Sequence, residues 1–215
     1  FQFRHGFYYA YLIVSLLYIV ALRLMPPEAA KYIAVLILFS DPAVLGFFFI
    51  GGIILLEKDQ NTLESLFVTP FRIHEYIISK VLSLTLVSLA ASYAVIAFAF
   101  GSDFHPFTMF WGILLSAVFF TLLGLVLAVR ARSLNGFLLT SPLYIIAFFI
   151  PVLGYLDIYS VKAFYLIPSY ASILLIQSAF TAVSPLKALL SAVLLCFWIA
   201  LVYRWAYRSF YKHII

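Results

Sequence analysis

The sequence predicts an all-α, polytopic membrane protein with six transmembrane helices. Of its 215 residues, 66% are hydrophobic and only 10% are charged, and the mean hydropathy is +1.15. A water-soluble domain carries about 25% charged residues, so the composition argues against a soluble globule. Six apolar runs are long enough to cross the hydrocarbon layer, which takes about 20 residues per helix. The runs lack the short alternating segments of a transmembrane β-barrel.

The six runs together predict one transmembrane domain that spans residues 1–215. Prolines stand before several of them, as at Pro106 and Pro185, and a proline suits the first helical position because that N–H has no intrahelical partner. The second run is long enough to cross with tilt. The predicted spans are about 6–25, 32–56, 74–100, 107–129, 136–154 and 186–207.

A further apolar piece, PSYASILLIQSAF at 168–180, lies between the fifth and sixth spans. It is too short to cross the bilayer comfortably. We expect a re-entrant or interfacial helix there, and an ordinary long loop is the alternative.

The positions of the basic residues predict which way the spans face. Lys and Arg concentrate on the cytosolic side of membrane proteins. With both termini in the cytosol, nine of the 13 Lys and Arg lie on that side. They are Arg4, Lys58, Arg72, Lys80, Arg130, Arg132, Arg204, Arg208 and Lys212. We therefore expect a multi-pass protein of the cell (plasma or inner) membrane with both termini cytosolic.

Several other functions find no support in the residues. The net charge is +5, but the basic residues are scattered and form no stripe for a nucleic acid backbone. Cys196 is the single cysteine, so an internal disulfide is impossible. The four histidines have no metal-ligand spacing, and no set of residues suggests catalysis. We expect no metal, no catalytic residues and no nucleic acid partner.

The strongly polar stretch 57–80 predicts a short cytosolic helix at about 61–68. Asn61 followed by Glu64 fits a capping box, in which a side chain and a carboxylate satisfy the free N–H groups of the first turn. Thr69 and Pro70 then read as a new N-cap and first helical position, which leads into the third span.

Leu63, Leu66 and Phe67 would form one apolar face of this short helix. Two interpretations stay open for that face. It packs on the protein's own helices or dips into the lipid headgroups, or it docks into a groove of a soluble partner.

The segment EKDQNTLESLFVTP at 57–70, with Glu75 and Lys80 after it, resembles the signature of the ABC-2 family of exporter permeases. It is most similar to the small six-span permeases known as drug or fluoroquinolone exporters, and the likeness covers essentially the whole chain. One departure is Asn61, where Gly is commoner. The resemblance implies that 57–70 carries the coupling helix, which sits in a cleft of a separate ATPase subunit. The implied coupling residues are Glu57, Lys58, Asp59, Asn61, Thr62, Leu63, Glu64, Leu66, Phe67, Thr69 and Pro70.

The resemblance also implies the partners and the cargo. The chain would be the permease subunit of an ATP-driven exporter, paired with a second copy or a paralogue and with ABC ATPase subunits. The sequence has no G-x-x-x-x-G-K-[ST] phosphate loop, so we expect no ATP site and no enzyme activity in this chain. ATP and Mg would bind to the partner. Few charges in the spans suggest an amphipathic or apolar cargo such as a drug, lipid or peptide.

Asp41 is an acidic residue in the interior of the second predicted span. An intramembrane carboxylate is a functional hypothesis by default, and Asp41 could line a pathway or hold a proton. Alternatively, the second span starts later and Asp41 caps it over Pro42 at the outer interface. Asp41 also supports the alternative function, an ATP-independent secondary transporter or channel.

Overall fold

The computed structural model describes residues 7–63, 72–158 and 161–213, and the regular structure in these ranges is all helical, without a β-strand. A π-helical turn (Asp41–Gly46) joins the second and third helices, and a 3₁₀ helix (Lys162–Leu166) precedes the eighth. The α-helices are α1 (Phe7–Arg23), α2 (Pro27–Ser40), α3 (Phe47–Asp59), α4 (Ile73–Phe100), α5 (Pro106–Arg130), α6 (Leu134–Phe149), α7 (Val152–Tyr155), α8 (Pro168–Gln177) and α9 (Pro185–His213).

Helix α5 is the centre of the bundle. It packs against α3, α4, α8 and α9, and nearly all its residues from Gly112 to Val129 are buried. Apolar residues lie all around it, which is the pattern expected of a helix enclosed by other helices. Phe120 meets Phe39 of α2 edge to face, with ring centroids 5.7 Å apart.

Helices α2 and α3 follow each other without a break through the π turn, so the backbone is helical from Pro27 to Asp59. The π turn begins at Asp41, directly before Pro42. A proline has no N–H to donate within a helix, and a wider turn is one way to accommodate it. Asp41 therefore lies within a continuous helical segment, and it is 5% exposed.

Four helical stretches are long and apolar enough to cross a membrane by length and composition. They are Ile73–Phe100, Pro106–Arg130, Leu134–Tyr155 and Pro185–Lys212. The first two predicted spans take a different form. Helix α1 has 17 residues, and the π turn divides the second run into α-helices of 14 and 13 residues.

The short apolar piece between the last two long stretches is helical from Pro168 to Gln177. This helix, α8, packs against α2, α5 and α9. Gly112 of α5 permits the close approach, because a Cβ there would lie 3.1 Å from the backbone nitrogen of Ile176. Helix α8 is thus a buried part of the bundle.

Gly124 of α5 predicts how tightly α3 packs on α5. A Cβ at Gly124 would lie 2.6 Å from the carbonyl oxygen of Phe47 and 3.0 Å from its Cα. Backbone atoms cannot move aside, so we expect Gly124→Ala to destabilise the protein by about 1–3 kcal/mol, the usual cost of overpacking. Thermal unfolding of the purified protein in detergent measures the change.

The control for that substitution is Gly136→Ala, where a new Cβ would meet only Ser133 Oγ at 3.4 Å. We expect the control to match the wild type. Equal melting temperatures for both variants would contradict the close contact between α3 and α5.

Candidate coupling site at the charged end of the bundle

Four helix ends meet at one end of the bundle, which we call the charged end. They are the C-terminal ends of α3, α5 and α9 and the N-terminal end of α4. Polar contacts join each of them to a neighbour. The predicted coupling segment, 57–70, leaves the bundle here, because it connects α3 to α4.

Glu57 is the most buried charged residue of this end, with 5% exposure. One carboxylate oxygen accepts a hydrogen bond from the Tyr76 hydroxyl, and the other pairs with the Lys80 ammonium. We call these three residues the clamp. Glu57 belongs to α3, and Tyr76 and Lys80 belong to α4. The clamp therefore fastens together the two helices from which the coupling segment leaves and to which it returns.

Lys58, the next residue, faces α5. Its ammonium donates to the carbonyl oxygens of Val129 at 3.2 Å and Ala131 at 3.0 Å. The last carbonyls of a helix have no intrahelical donor, and a lysine near them satisfies these groups and favours the helix dipole. Neighbouring residues of opposite charge thus hold the end of α3 against α4 on one side and against α5 on the other.

Arg130, at the end of α5, faces α9. Its Nε donates to the Ser209 hydroxyl at 3.2 Å, and its guanidinium lies 4.8 Å from the centre of the Trp205 ring. A guanidinium over an indole face is attracted by the ring electrons. These contacts connect the C-terminal helix to the charged end.

His74 joins the beginning of α4 to α9. Its ring stacks on Tyr207 with centroids 4.4 Å apart, and its Nδ1 lies 2.5 Å from the Tyr203 hydroxyl. Tyr76 also reaches α9, because its ring lies 5.2 Å from that of Phe210. The start of α4, which follows the coupling segment, is therefore held by aromatic contacts.

The predicted coupling residues divide by exposure. Glu57 and Leu63 are buried, Lys58 is half-buried, and Asp59, Asn61 and Thr62 are exposed. Leu63, at 2% exposure, belongs to the hydrophobic core of this chain, which is one of the two alternatives for the apolar face. The other predicted coupling residues, Glu64, Leu66, Phe67, Thr69 and Pro70, lie outside the described residues, as does most of the predicted helix 61–68.

Asn61 ends α3 with a φ of 53°, and its N–H donates to the carbonyl oxygen of Lys58 at 3.0 Å. This left-handed conformation favours glycine, and asparagine tolerates it better than most residues do. Helical backbone resumes at Thr62 and Leu63. The capping box with Glu64 stays a prediction.

The sequence alone does not reveal the roles of two residues of the site. The sequence gives no sign of a role for Tyr76, and it marks Lys80 only as a basic residue of the cytosolic side and as part of the resemblance. The available signal was a pair of opposite charges, Glu57 and Lys80, at the inner ends of two apolar runs. Glu75 has a local role, because its carboxylate accepts from the backbone N–H of Arg72 at 3.1 Å and caps α4.

Asp41 lies apart from the charged end, in the π turn. Ser88 of α4 donates to its carboxylate at 2.9 Å. The described residues contain no group of three or more His, Cys, Asp or Glu side chains that could hold a metal ion.

The long apolar helices, whose ionisable side chains lie mostly toward the helix ends, are those of a multi-pass membrane protein. Comparison with known proteins shows that the chain belongs to the fluoroquinolones export permease protein family, whose match covers residues 1–215. The chain is similar to the fluoroquinolones export permease proteins of two Mycobacterium tuberculosis strains, CDC 1551 / Oshkosh and ATCC 25618 / H37Rv. Each is 29% identical over 184 residues, which cover 85% of this chain and 78% of the relative. No solved structure matches the chain.

The contacts of the clamp predict how substitutions of its residues change the free energy of unfolding. Lys80→Met leaves the buried Glu57 carboxylate without its cation, and breaking a fully buried pair costs about 3–5 kcal/mol. Because 20% of the Lys80 side chain is exposed, we expect a loss nearer about 2 kcal/mol in the free energy of unfolding. The double variant Glu57→Gln with Lys80→Met should recover part of this loss, since no unpaired charge remains. Unfolding in mixed micelles measures both.

Lys31→Met is the matched control for the clamp. Lys31 pairs with Asp103 at 2.6 Å, but 33% and 72% of these side chains are exposed, and exposed pairs contribute less than about 1 kcal/mol. A loss from Lys80→Met as small as that from Lys31→Met would contradict a stabilising role for the clamp.

Proposed function

We propose that this chain is the membrane-spanning permease subunit of an ATP-driven exporter of the ABC-2 type. In this proposal it crosses the plasma membrane six times, with both termini in the cytosol. It pairs with a second copy or a paralogue. Separate ABC ATPase subunits bind ATP and Mg and contact the segment 57–70.

The observation that carries the proposal is the position of the clamp. Glu57 stands at the beginning of the coupling segment, and Tyr76 and Lys80 follow its end. A load applied to a segment that is fastened at both ends moves α3 and α4 together. A loosely attached loop would absorb the same load without moving the bundle. The clamp thus suits a segment that transmits force.

The exposed residues Asp59, Asn61 and Thr62 are the described part of the surface that a partner would touch. Leu63 faces inward, so among the described residues the partner would meet polar groups first. Any apolar docking contact rests on Leu66 and Phe67. ATP binding would close the ATPase subunits, and the resulting displacement would favour one of two states of the bundle.

The cargo in this proposal is amphipathic and largely apolar. The relatives are named for fluoroquinolones, which makes a fluoroquinolone the first cargo to test here. The described helices carry few charges between their ends, and aromatic side chains are abundant in them. An apolar aromatic compound would therefore meet little electrostatic resistance.

An alternative function, ATP-independent secondary transport or a channel, is favoured by one observation. Asp41 is a buried carboxylate within a helical segment of the bundle. A secondary transporter would use it to bind the coupling ion.

Transport into inside-out membrane vesicles separates the two functions. The chain is expressed together with the proposed ABC ATPase partner, and uptake of a fluorescent fluoroquinolone is followed after addition of ATP. We expect uptake that needs ATP, and Leu66→Asp should reduce it at least tenfold by opposing the apolar docking contact. Leu166→Asp is the matched control, because Leu166 is 68% exposed on the predicted outer side. Full uptake with Leu66→Asp would contradict the docking role, and uptake driven by an ion gradient without ATP would support the alternative.

The proposed orientation can be tested by labelling single cysteines. In a Cys196→Ala background, Lys212→Cys and Ser102→Cys place one thiol at each end of the bundle. We expect a membrane-impermeant maleimide to label Ser102→Cys in intact cells and Lys212→Cys only in inside-out vesicles. The reverse pattern would place the segment 57–70 outside the cell and would overturn the proposed coupling.

A further inference from the structure

Asp41 is the only acidic residue of the described chain that is buried away from the helix ends. It is 5% exposed, in a π turn that packs against α2, α3, α4 and α5. Among the described residues, the hydrogen bond it accepts is the one from Ser88 at 2.9 Å. π turns of this kind occur frequently at functional sites.

A small cavity adjoins the carboxylate. Its volume is about 10 Å³, which is close to the space that one water molecule requires. Ser15 and Tyr18 of α1 and Ser92 of α4 line it together with Asp41, and the rest of its wall is apolar. One water there would have the two to four polar neighbours that a buried water needs.

Ser92 independently indicates that a water molecule occupies this cavity. It is 2% exposed, and its hydroxyl is buried with no hydrogen-bond partner in the described structure. A buried hydroxyl without a partner has lost its hydrogen bonds to water without replacement, which is unfavourable. A water in the cavity removes this cost, because it can bond to Ser92 and to Asp41.

The cations on the neighbouring helices lie toward the helix ends, where they contact other groups. Lys80 of α4 is bound to Glu57, Lys31 of α2 to Asp103, and Arg23 of α1 donates to the Phe98 carbonyl at 2.9 Å. Helix α5 has no ionisable side chain before Arg130. The other titratable group that lines the cavity is Tyr18. In the described chain, no ion pair forms with Asp41.

The protonation state follows from these surroundings. An ionised carboxylate inside a bundle is costly without a cation or several donors, and one serine donor does not replace the water that Asp41 loses. A neutral carboxylic acid avoids this cost, and its O–H can donate to the cavity water.

We propose that Asp41, Ser88 and Ser92 form a proton-binding site, in which Asp41 is a neutral carboxylic acid and one water links it to Ser92. Ser88 donates to one carboxyl oxygen, and the carboxyl O–H donates to the water. When the helices around the cavity separate and solvent enters, the proton passes to water and the hydrated carboxylate is ionised. Closure returns a proton from solvent to Asp41. The site therefore adds a proton exchange step to the conformational cycle, whichever energy source drives that cycle.

Infrared spectroscopy of the full-length protein in lipid bilayers tests this site without any transport assay. We expect the wild type at neutral pH to show the carbonyl stretching band of a protonated carboxyl group, and Asp41→Asn to lack it. Transfer into D₂O should shift the band. Ser88→Ala and Ser92→Ala should each move its frequency, because each removes a hydrogen bond to the carboxyl group or to its water.

Ser116→Ala is the matched control, since Ser116 is a buried serine that donates to the Gly112 carbonyl at 2.6 Å and is not part of the cavity wall. It should leave the band unchanged. If Asp41→Asn fails to fold, the difference spectra of the two serine variants assign the band by themselves. Absence of the band in the wild type, or a band that neither serine variant moves, would overturn the proposal. The outcome does not depend on the coupling segment or on the ATPase.

Discussion

A carboxylate that is buried in an apolar bundle must find its partners within the protein, because neither lipid nor neighbouring apolar side chains can replace water. Glu57 meets this requirement through Lys80 and Tyr76, and both partners belong to the next long helix. The requirement fixes how α3 and α4 lie against each other at the charged end. The adjacent contact of Lys58 with the end of α5 then places the central helix against the same point.

The two ends of the bundle are held by contacts of different kinds. At the charged end, a largely buried ion pair, a lysine cap and aromatic stacking connect α3, α4, α5 and α9. At the opposite end, Lys31 and Asp103 form an exposed ion pair, and the hydrogen bond from His105 to the Ala179 carbonyl, at 2.8 Å, joins the start of α5 to the residues after α8. The opposite end is also joined by the stacked rings of Tyr32 in α2 and Tyr155 in α7, with centroids 4.6 Å apart.

Asp41 satisfies the same requirement in a different way. It has a hydroxyl donor and a water-sized cavity where Glu57 has a lysine. A proton can therefore neutralise its charge, whereas a cation balances the charge of Glu57. The π turn places it in the interior of the bundle, between α1 and α4. The described part of the chain therefore contains two buried carboxylates with different roles. One holds two helices together, and the other can change its charge.

The sequence by itself determined the helical class, the membrane setting, the general position of the long helices and the family. It did so because an apolar composition and runs of about 20 residues leave few structures possible in a bilayer. It also located Glu57 to Pro70 as the segment of interest. The tertiary structure decided which charges pair, since Glu57 and Lys80 meet only when α3 and α4 pack side by side. It also decided that Leu63 faces the core, that α8 is enclosed by the bundle, and that Pro42 produces a π turn where the sequence suggested an ordinary span. Periodicity reports which residues share a helix face, whereas the neighbour of that face depends on how separate helices pack.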